Sequence, residues 1–499
     1  MSILEGIVYM YMGIDLGSSA LKVAVVDFDR NEIVSLKKRS IDMLSPRADF
    51  AEQDPDEWWK KLIGILNEMR KENLFDFNEI EGIGVVSQRE GIVLVGKEGE
   101  ALTNCITWID RRSEKQAIEI SNMLDPRYVY ERTGLRISAG FTATKLLWFK
   151  ENNPEPLEKA SYFLQPKDYI VYKLTGIYAT DYSLASRTLL FDIHKLDWID
   201  EFFDKLDIPN KFPRVYWSTE VVGETSNEIA ESTGLPKGIP VAAGGGDRQG
   251  ENLACCGARK DTIAISLGTT ININTALDKP YVDPQMRSTT SLHLLENKWL
   301  LELGLSSGTL ILRWFVENFA KDLGEEAYRV LTEKASHVKE GAEGLYVFPF
   351  IIGVRAPWWQ KETKAAIIGF YQGHKREHIF RALIEGLSYN VKAAFAVIED
   401  SCERINNIYV IGGGSENKLW LRILSNILDM RLKVLGIENA GVLAAASLNV
   451  LRERRDVAAR IFENPRVREE YYPDREFSIR YQKLYEDYIV KVEKYLRDF

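Results

Sequence analysis

The chain is poor in cysteine and histidine. Its 499 residues hold 4 cysteines (Cys105, Cys255, Cys256 and Cys402) and 5 histidines. No CxxC pair occurs, and the adjacent Cys255 and Cys256 lack the spacing of a zinc ribbon, so a disulfide framework is not expected. The expected compartment is a reducing one, the cytoplasm. No HExxH is present, and His374 and His378, four apart, are fewer ligands than a metal set needs. No apolar run approaches the roughly 18 residues of a membrane span, so a membrane partner is not expected. The opening stretch lacks a basic region and carries Glu5 among its apolar residues, which argues against a secretory signal. Positive charge is not in excess either: 64 lysines and arginines face 73 aspartates and glutamates, a net charge of −9. That balance speaks against a nucleic-acid partner, while one cleft can still concentrate cations for a small anion. Low-complexity segments, long linkers and repeats of solenoid period are missing too.

What is present is a globular composition, 45% hydrophobic and 27% charged. At roughly 100–200 residues per domain the length predicts two or three domains. One long-range echo organises the chain. Met12–Asp27 and Thr262–Thr275 both read as apolar strand, glycine-hydroxyl-hydroxyl turn, apolar strand, with Gly17-Ser18-Ser19 matching Gly268-Thr269-Thr270. The alternation after each turn has period two. Helical periodicity follows at 56–71, 375–400 and 418–429, with Asp54 the expected N-cap before Pro55. Short strands are expected at 84–87, 91–95, 241–243 and 408–411. Strands alternating with helices predict an α/β class with two related domains, 1–250 and 251–499.

Four segments carry candidate chemistry. The two glycine-hydroxyl turns offer backbone N–H groups and hydroxyls to one concave spot, which suits phosphate oxygens. Asp15, beside the first turn, is placed to hold Mg²⁺ directly or through water. Ala242–Gln249 runs a strand into Gly244-Gly245-Gly246 and then Asp247, at the strand end where open α/β sheets bind ligands. A carboxylate there can accept the proton of a substrate hydroxyl. Tyr409–Trp420 runs a strand through three glycines into a helix start, with Ser415 as expected N-cap, an arrangement that suits a nucleotide. By contrast, the GxxxxGK-like stretch from Gly91 to Lys97 has Glu98 where a metal-binding hydroxyl belongs. Its branched aliphatics predict a strand running into the turn 96–99.

In order and spacing these segments resemble the FGGY family of carbohydrate kinases, within the superfamily of sugar kinases, Hsp70 and actin. Gly13–Lys22 is similar to the family's first phosphate motif, Leu267–Thr270 to its second and Tyr409–Trp420 to its adenosine motif. Ala51–Trp59, Glu343–Pro349 and His378–Gly386 resemble further family segments. The resemblance implies two RNase H-like domains of the actin, Hsp70 and hexokinase type, flanking a cleft. It implies phosphorylation of a sugar or polyol hydroxyl by ATP with Mg²⁺, and a homodimer or homotetramer. By the same resemblance Asp247 is the catalytic base and Asp15 the aspartate near the metal. Gly17, Ser18, Ser19, Lys22, Gly268, Thr269 and Thr270 are phosphate contacts. Gly308, Gly413, Gly414 and Asn417 contact the nucleotide, although the spacing from Gly308 to Trp314 is off by one residue.

Substrate residues follow from the same comparison. Ser87–Glu90 resembles the glycerol kinase motif in which arginine and glutamate, here Arg89 and Glu90, bind substrate hydroxyls, and Trp108 falls on an aromatic wall of the pocket. Two positions depart from it. Gly140 stands where glycerol kinases carry a tyrosine, which opens volume for a longer substrate. Arg248 stands where a glutamine or asparagine follows the base, ready to meet an anionic substrate or to pair with Glu90 or Glu251. Ser87–Leu94, Gly244–Gln249 and Asp283–Met286 are similar to autoinducer-2 kinases. Thr363-Lys364-Ala365 replaces the family's usual Ala-Arg-Gly. The expected substrate is a four- or five-carbon ketose or polyol such as xylulose. Glycerol and an autoinducer-2-type substrate are the alternatives, and a non-catalytic sugar sensor is the remote one.

Overall fold

Both glycine-hydroxyl turns join strands. The computed structural model describes residues 9–360, 362–402, 404–454, 462 and 465–498; Glu5 and the question of a leader lie outside them. Strand β1 (Met10–Leu16) turns at Gly17-Ser18-Ser19 into β2 (Ala20–Asp27), which runs on into β3 (Glu32–Ser40). The three are antiparallel, and β1 pairs on its other side in parallel with β4 (Ile80–Ser87). Strands β5 (Val221–Glu224), β6 (Pro240–Ala242) and β7 (Gly245–Gly246) complete a sheet of order β5-β6-β4-β1-β2-β3, with β7 also beside β4.

The second sheet repeats the design. Strand β8 (Thr262–Leu267) turns at Gly268-Thr269-Thr270 into β9 (Ile271–Leu277). Next come β10 (Thr289–Leu292), β11 (Trp299–Leu305), β12 (Asn407–Ile411), β13 (Leu432–Leu435) and β14 (Val467–Tyr471), in the order β10-β11-β9-β8-β12-β13-β14. As β4 does beside β1, β12 pairs in parallel with β8. Every residue of β1 and β9 is buried, as strands covered on both faces require. The outcome is two α/β domains of one plan, the RNase H-like architecture.

Helices cover the sheets. They include α1 (Pro55–Glu72), α2 (Asp247–Cys256), α3 (Thr309–Phe319), α4 (Arg376–Ser401), α5 (Lys418–Leu428), α6 (Ala440–Glu453) and α7 (Arg475–Arg497). Asp54 caps α1 as expected, accepting the Asp56 N–H at 2.8 Å with Pro55 in the first turn. One cap differs from expectation. Asn417, not Ser415, caps α5, accepting the Trp420 N–H at 3.1 Å. Ser415 lies earlier, in a 3₁₀ turn, where its hydroxyl donates to the Gly412 carbonyl at 2.7 Å.

The domains are interleaved rather than strung in sequence. Helix α6, from late in the chain, packs on β1 and β4 of the first sheet. Gly13 and Gly84 face one another across those strands. A Cβ on Gly13 would run into the Val442 carbonyl, and one on Gly84 into that of Ala445. Missing side chains on the sheet and alanines on the helix (Ala444, Ala445 and Ala446) therefore let the two backbones approach closely. Helix α2 packs against α6 and touches both sheets, so position 250/251 falls inside a helix that the domains share.

Candidate active site

The turn that delivers Asp247 is built from buried charge. Lys167 sits wholly buried between Asp168 (2.7 Å) and Asp181 (3.3 Å) and donates to the Ala243 carbonyl at 2.7 Å. Ser183 Oγ accepts the Gly246 N–H at 3.0 Å. Asp247 then opens α2, its carboxylate accepting the Arg248 N–H at 2.7 Å. Gly246 has no side chain to spare, because a Cβ there would collide with Gln249 and with the stem of Arg89. Burial raises the Asp247 pKa to about 6; Arg89 and Arg248 oppose the rise, while Asp15 and Glu90 add to it.

Arg89 and Glu90 follow the end of β4. Arg89 Nε lies 3.7 Å from both Asp247 and Glu90. Its two terminal nitrogens go elsewhere, to Glu302 of β11, at 2.8 and 3.0 Å. Glu90 is held by Arg187 at 2.6 Å and has a left-handed backbone (φ 63°), uncommon for a residue with a side chain. Buried Lys145 fixes that conformation by donating to the carbonyls of Glu90 (2.6 Å) and Gly140 (2.8 Å). Its own pKa falls to about 8, because burial disfavours the ammonium more than Glu90 favours it.

Asp247, Arg89, Glu90, Arg187 and Glu302 line one cavity of about 230 Å³ between the domains. Ser18 of the first glycine-hydroxyl turn and Thr270 of the second both reach it, so the two turns converge beside Asp247. Trp108, 38% exposed, stands on the rim, and Gly140 leaves its wall open. Arg248 chooses the internal partner, lying 3.2 Å from Glu251 while still lining the cavity. The rest of the lining is rich in cations: Arg111, Arg136, Arg187 and Arg355 join Arg89 and Arg248. Among the described residues no carboxylate lies within 4 Å of Arg111, Arg136 or Arg355.

Asp15 and Lys22 are opposite each other on β1 and β2 and form an ion pair of 3.6 Å. Burial raises the Asp15 pKa in spite of Lys22. Gly17 and Gly268 close their turns on Ala20 and Thr270 at 3.0 and 3.1 Å, and Ser19 and Thr269 are exposed at the tips. No group of three or more His, Cys, Asp or Glu arranged for a metal occurs among the described residues.

A second cavity, of about 610 Å³, opens at the start of α5. Gly413, Gly414 and Asn417 line it with Thr309, Leu312, Tyr328 and Trp420. Gly308 packs behind it, against Gly268 and Thr270, where a Cβ would strike backbone. Each of the four segments of candidate chemistry therefore sends at least one residue to one of the two cavities, while Asp15, Gly17, Ser19, Lys22, Gly268, Thr269 and Gly308 line neither. Sequence reasoning passed over Glu302, Arg187, Lys167, Lys145, Asn272, Arg136 and Arg355. Glu302 and Asn272 are a charge and an amide on apolar strands, Lys145 and Lys167 are lysines within helices, and Arg136, Arg187 and Arg355 are single basic residues in loops.

The model of the FGGY family of carbohydrate kinases matches in both parts, its N-terminal domain over residues 10–254 and its C-terminal domain over 263–451. The gluconokinase of Bacillus subtilis is 30% identical over 432 residues, covering 85% of this chain and 83% of that protein. The xylulose kinase of the same organism is 29% identical over 445 residues, 88% and 87% of the two chains. Among solved structures, the xylulose kinase from Rhodospirillum rubrum superposes with a TM-score of 0.91 at 24% identity, over 97% of this chain and 98% of that one.

Proposed function

The chain belongs to the FGGY family of carbohydrate kinases, and within it we propose an ATP-dependent kinase of an acyclic sugar acid, an aldonate. The observation that carries the substrate class is the set of three arginines, Arg111, Arg136 and Arg355, which share the cavity of Asp247 without a carboxylate partner among the described residues. Arg136 stacks 5.3 Å over Trp359 and spends one N–H on the Met286 carbonyl. Arg355 is reached by solvent, yet the protein crowded around it disfavours its charge, and its guanidinium lies over Gly304, where a Cβ would come within 3.2 Å. A carboxylate at one end of a linear substrate would supply the missing countercharge through charge-assisted hydrogen bonds. The relative named gluconokinase agrees with this reading.

Asp247 is the general base in the mechanism we assign. It takes the proton of the attacking hydroxyl, the freed oxygen bonds to the γ-phosphorus, and the bond to the β-phosphate oxygen breaks to release ADP. The turns at Ser18-Ser19 and Thr269-Thr270 present donors to the phosphates, and Gly413, Gly414 and Asn417 hold the adenosine. Asp15 fits Mg²⁺: it is buried with one ion-pair partner, so its charge is under-compensated, and Mg²⁺ commonly uses only one or two protein carboxylates. When bound, Mg²⁺ neutralises charge on the β- and γ-phosphates.

The test is ADP release with a panel of gluconate and shorter aldonates, xylulose, xylitol, erythritol and glycerol. Highest kcat/KM is expected for an aldonate. Arg355→Ala should lower that value by roughly 10–100-fold, the worth of a charged hydrogen bond, and leave neutral substrates unaffected. A neutral ketose outrunning every aldonate would replace this reading with a xylulose-type one, which the open wall at Gly140 and the relatives named xylulose kinase favour.

A further inference from the structure

Glu302 lies on a polar chain that crosses the protein between the domains. Arg89 donates to both of its oxygens, and Asn272 donates to Oε1 at 2.9 Å. Asn272 accepts from Asn274 (2.9 Å), whose own oxygen accepts from Asn252 of α2 (2.7 Å). Asn252 Oδ1 meets His293 Nε2 at 3.2 Å, and His293 Nδ1 accepts the Leu295 N–H at 3.3 Å. Only one assignment of donors satisfies every link. His293 is neutral with its proton on Nε2, each asparagine donates onward, and the last acceptor is an ionised Glu302. The burial of the chain agrees, since His293, Asn252 and Asn274 are all inaccessible to solvent.

This geometry decides where Arg89 points. Its Nε is already 3.7 Å from Asp247, and among the described residues the only competing carboxylates are Glu302 and Glu90. Glu90 is occupied by Arg187. We infer that Glu302 is a positioning residue for phosphoryl transfer, which draws the guanidinium of Arg89 across the cleft and so keeps it from closing on Asp247. The inference rests on the reading of Asp247 as the base. Removing the Glu302 charge would let Arg89 swing into a two-point pair with Asp247 and hold that carboxylate as an occupied anion. The charged groups acting on Asp247 are Arg89 and Glu90 after β4, Asp15 on β1 and Arg248 on α2. Of these only Arg89 is released by the substitution.

Glu302→Gln keeps the shape and removes the charge. Single-turnover phosphoryl transfer, measured against pH with saturating gluconate and ATP, is expected to slow by about 100-fold. The acid limb should move to lower pH by at least one unit, with the KM for ATP unchanged. Transfer within threefold of wild type would overturn the inference. So would a slower rate with the acid limb unmoved, which is what a merely structural ion pair predicts. Should Glu302→Gln not fold, Glu302→Asp, with the charge drawn back by one methylene, is read by the same two criteria. Asp247→Asn run alongside separates the two readings. If it transfers phosphate at the wild-type rate, the base assignment fails; if it is inactive and Glu302→Gln leaves the limb in place, only the positioning role fails.

Discussion

As the proposed base, Asp247 must be ionised to accept a proton, yet its surroundings favour the neutral acid. Its folded pKa is near 6, above the roughly 3.9 of an unfolded aspartate, so below pH 4 the group is protonated in both states and costs nothing. As pH rises through about 6 the folded state is increasingly charged, and stability is lost relative to a neutral side chain. Asp247→Asn is therefore expected to abolish phosphoryl transfer while raising the apparent Tm at pH 7, with the gain disappearing below about pH 4. Thermal scans at pH 4 and 7 check this; a lower Tm at pH 7 would contradict it. In the wild type the same pKa predicts kcat/KM that rises to a plateau through about pH 6. At this scale the sequence was legible wherever the candidate residues stand next to one another. Asp247 after its glycines and Ser18-Ser19 after Gly17 stand in short patterns. Glu302 does not: its partner Arg89 is 213 residues away, and a lone glutamate in Trp299–Leu305 looks like the outward face of a strand. Arg248 shows the opposite limit, a conspicuous residue whose charge is taken up within its own helix by Glu251.

At the scale of elements, glycine governs how closely backbones meet. Gly84 on β4 faces the Ala445 carbonyl of α6 with no room for a Cβ, whereas Gly64 on the exposed face of α1 has nothing within 4 Å. The same substitution should therefore act with opposite signs. Gly84→Ala is expected to destabilise by about 1–3 kcal/mol or more through overpacking. Gly64→Ala is expected to stabilise by about 0.5–1 kcal/mol through helix propensity and a less disordered unfolded chain. Chemical denaturation of the two variants side by side measures both, and equal shifts would refute the account. The elements themselves were largely readable, because amphipathic periodicity and a cap such as Asp54 are local. Their assembly was not. Nothing near 440–453 announces that α6 belongs on the first sheet, since a run of alanines specifies a small helix face and leaves its partner open. For the same reason position 250/251, chosen just ahead of the second hairpin, meets a continuous helix.

For the whole molecule, the two cavities differ in which domains build them. Among the described residues, the cavity where we place the adenosine is lined only by residues between Thr309 and Trp420, all from the second domain. The cavity at Asp247 draws Arg89, Glu90 and Arg187 from the first domain and Asn272, Glu302 and Arg355 from the second. Direct bonds already tie the domains on that side, Arg89 to Glu302 and Tyr130 to the Ser288 carbonyl at 2.9 Å among them. Ligands should thus couple the domains stepwise. On the proposed placement of adenosine in that cavity, AMP is expected to slow amide exchange around α3 and α5 and leave β1 to β4 unchanged. A non-hydrolysable ATP analogue should add the turn at Gly17-Ser18-Ser19, because its terminal phosphates reach where the two turns converge. Adding gluconate should extend protection to the end of β4 and to β11 together, and raise the affinity for the analogue, since each ligand then binds a partly closed cleft. Hydrogen exchange with the three ligand sets reads each step separately. Equal protection of β1 to β4 by AMP alone would mean that the adenosine cavity itself drives closure, and that the contacts around Asp247 follow from closure without contributing to it.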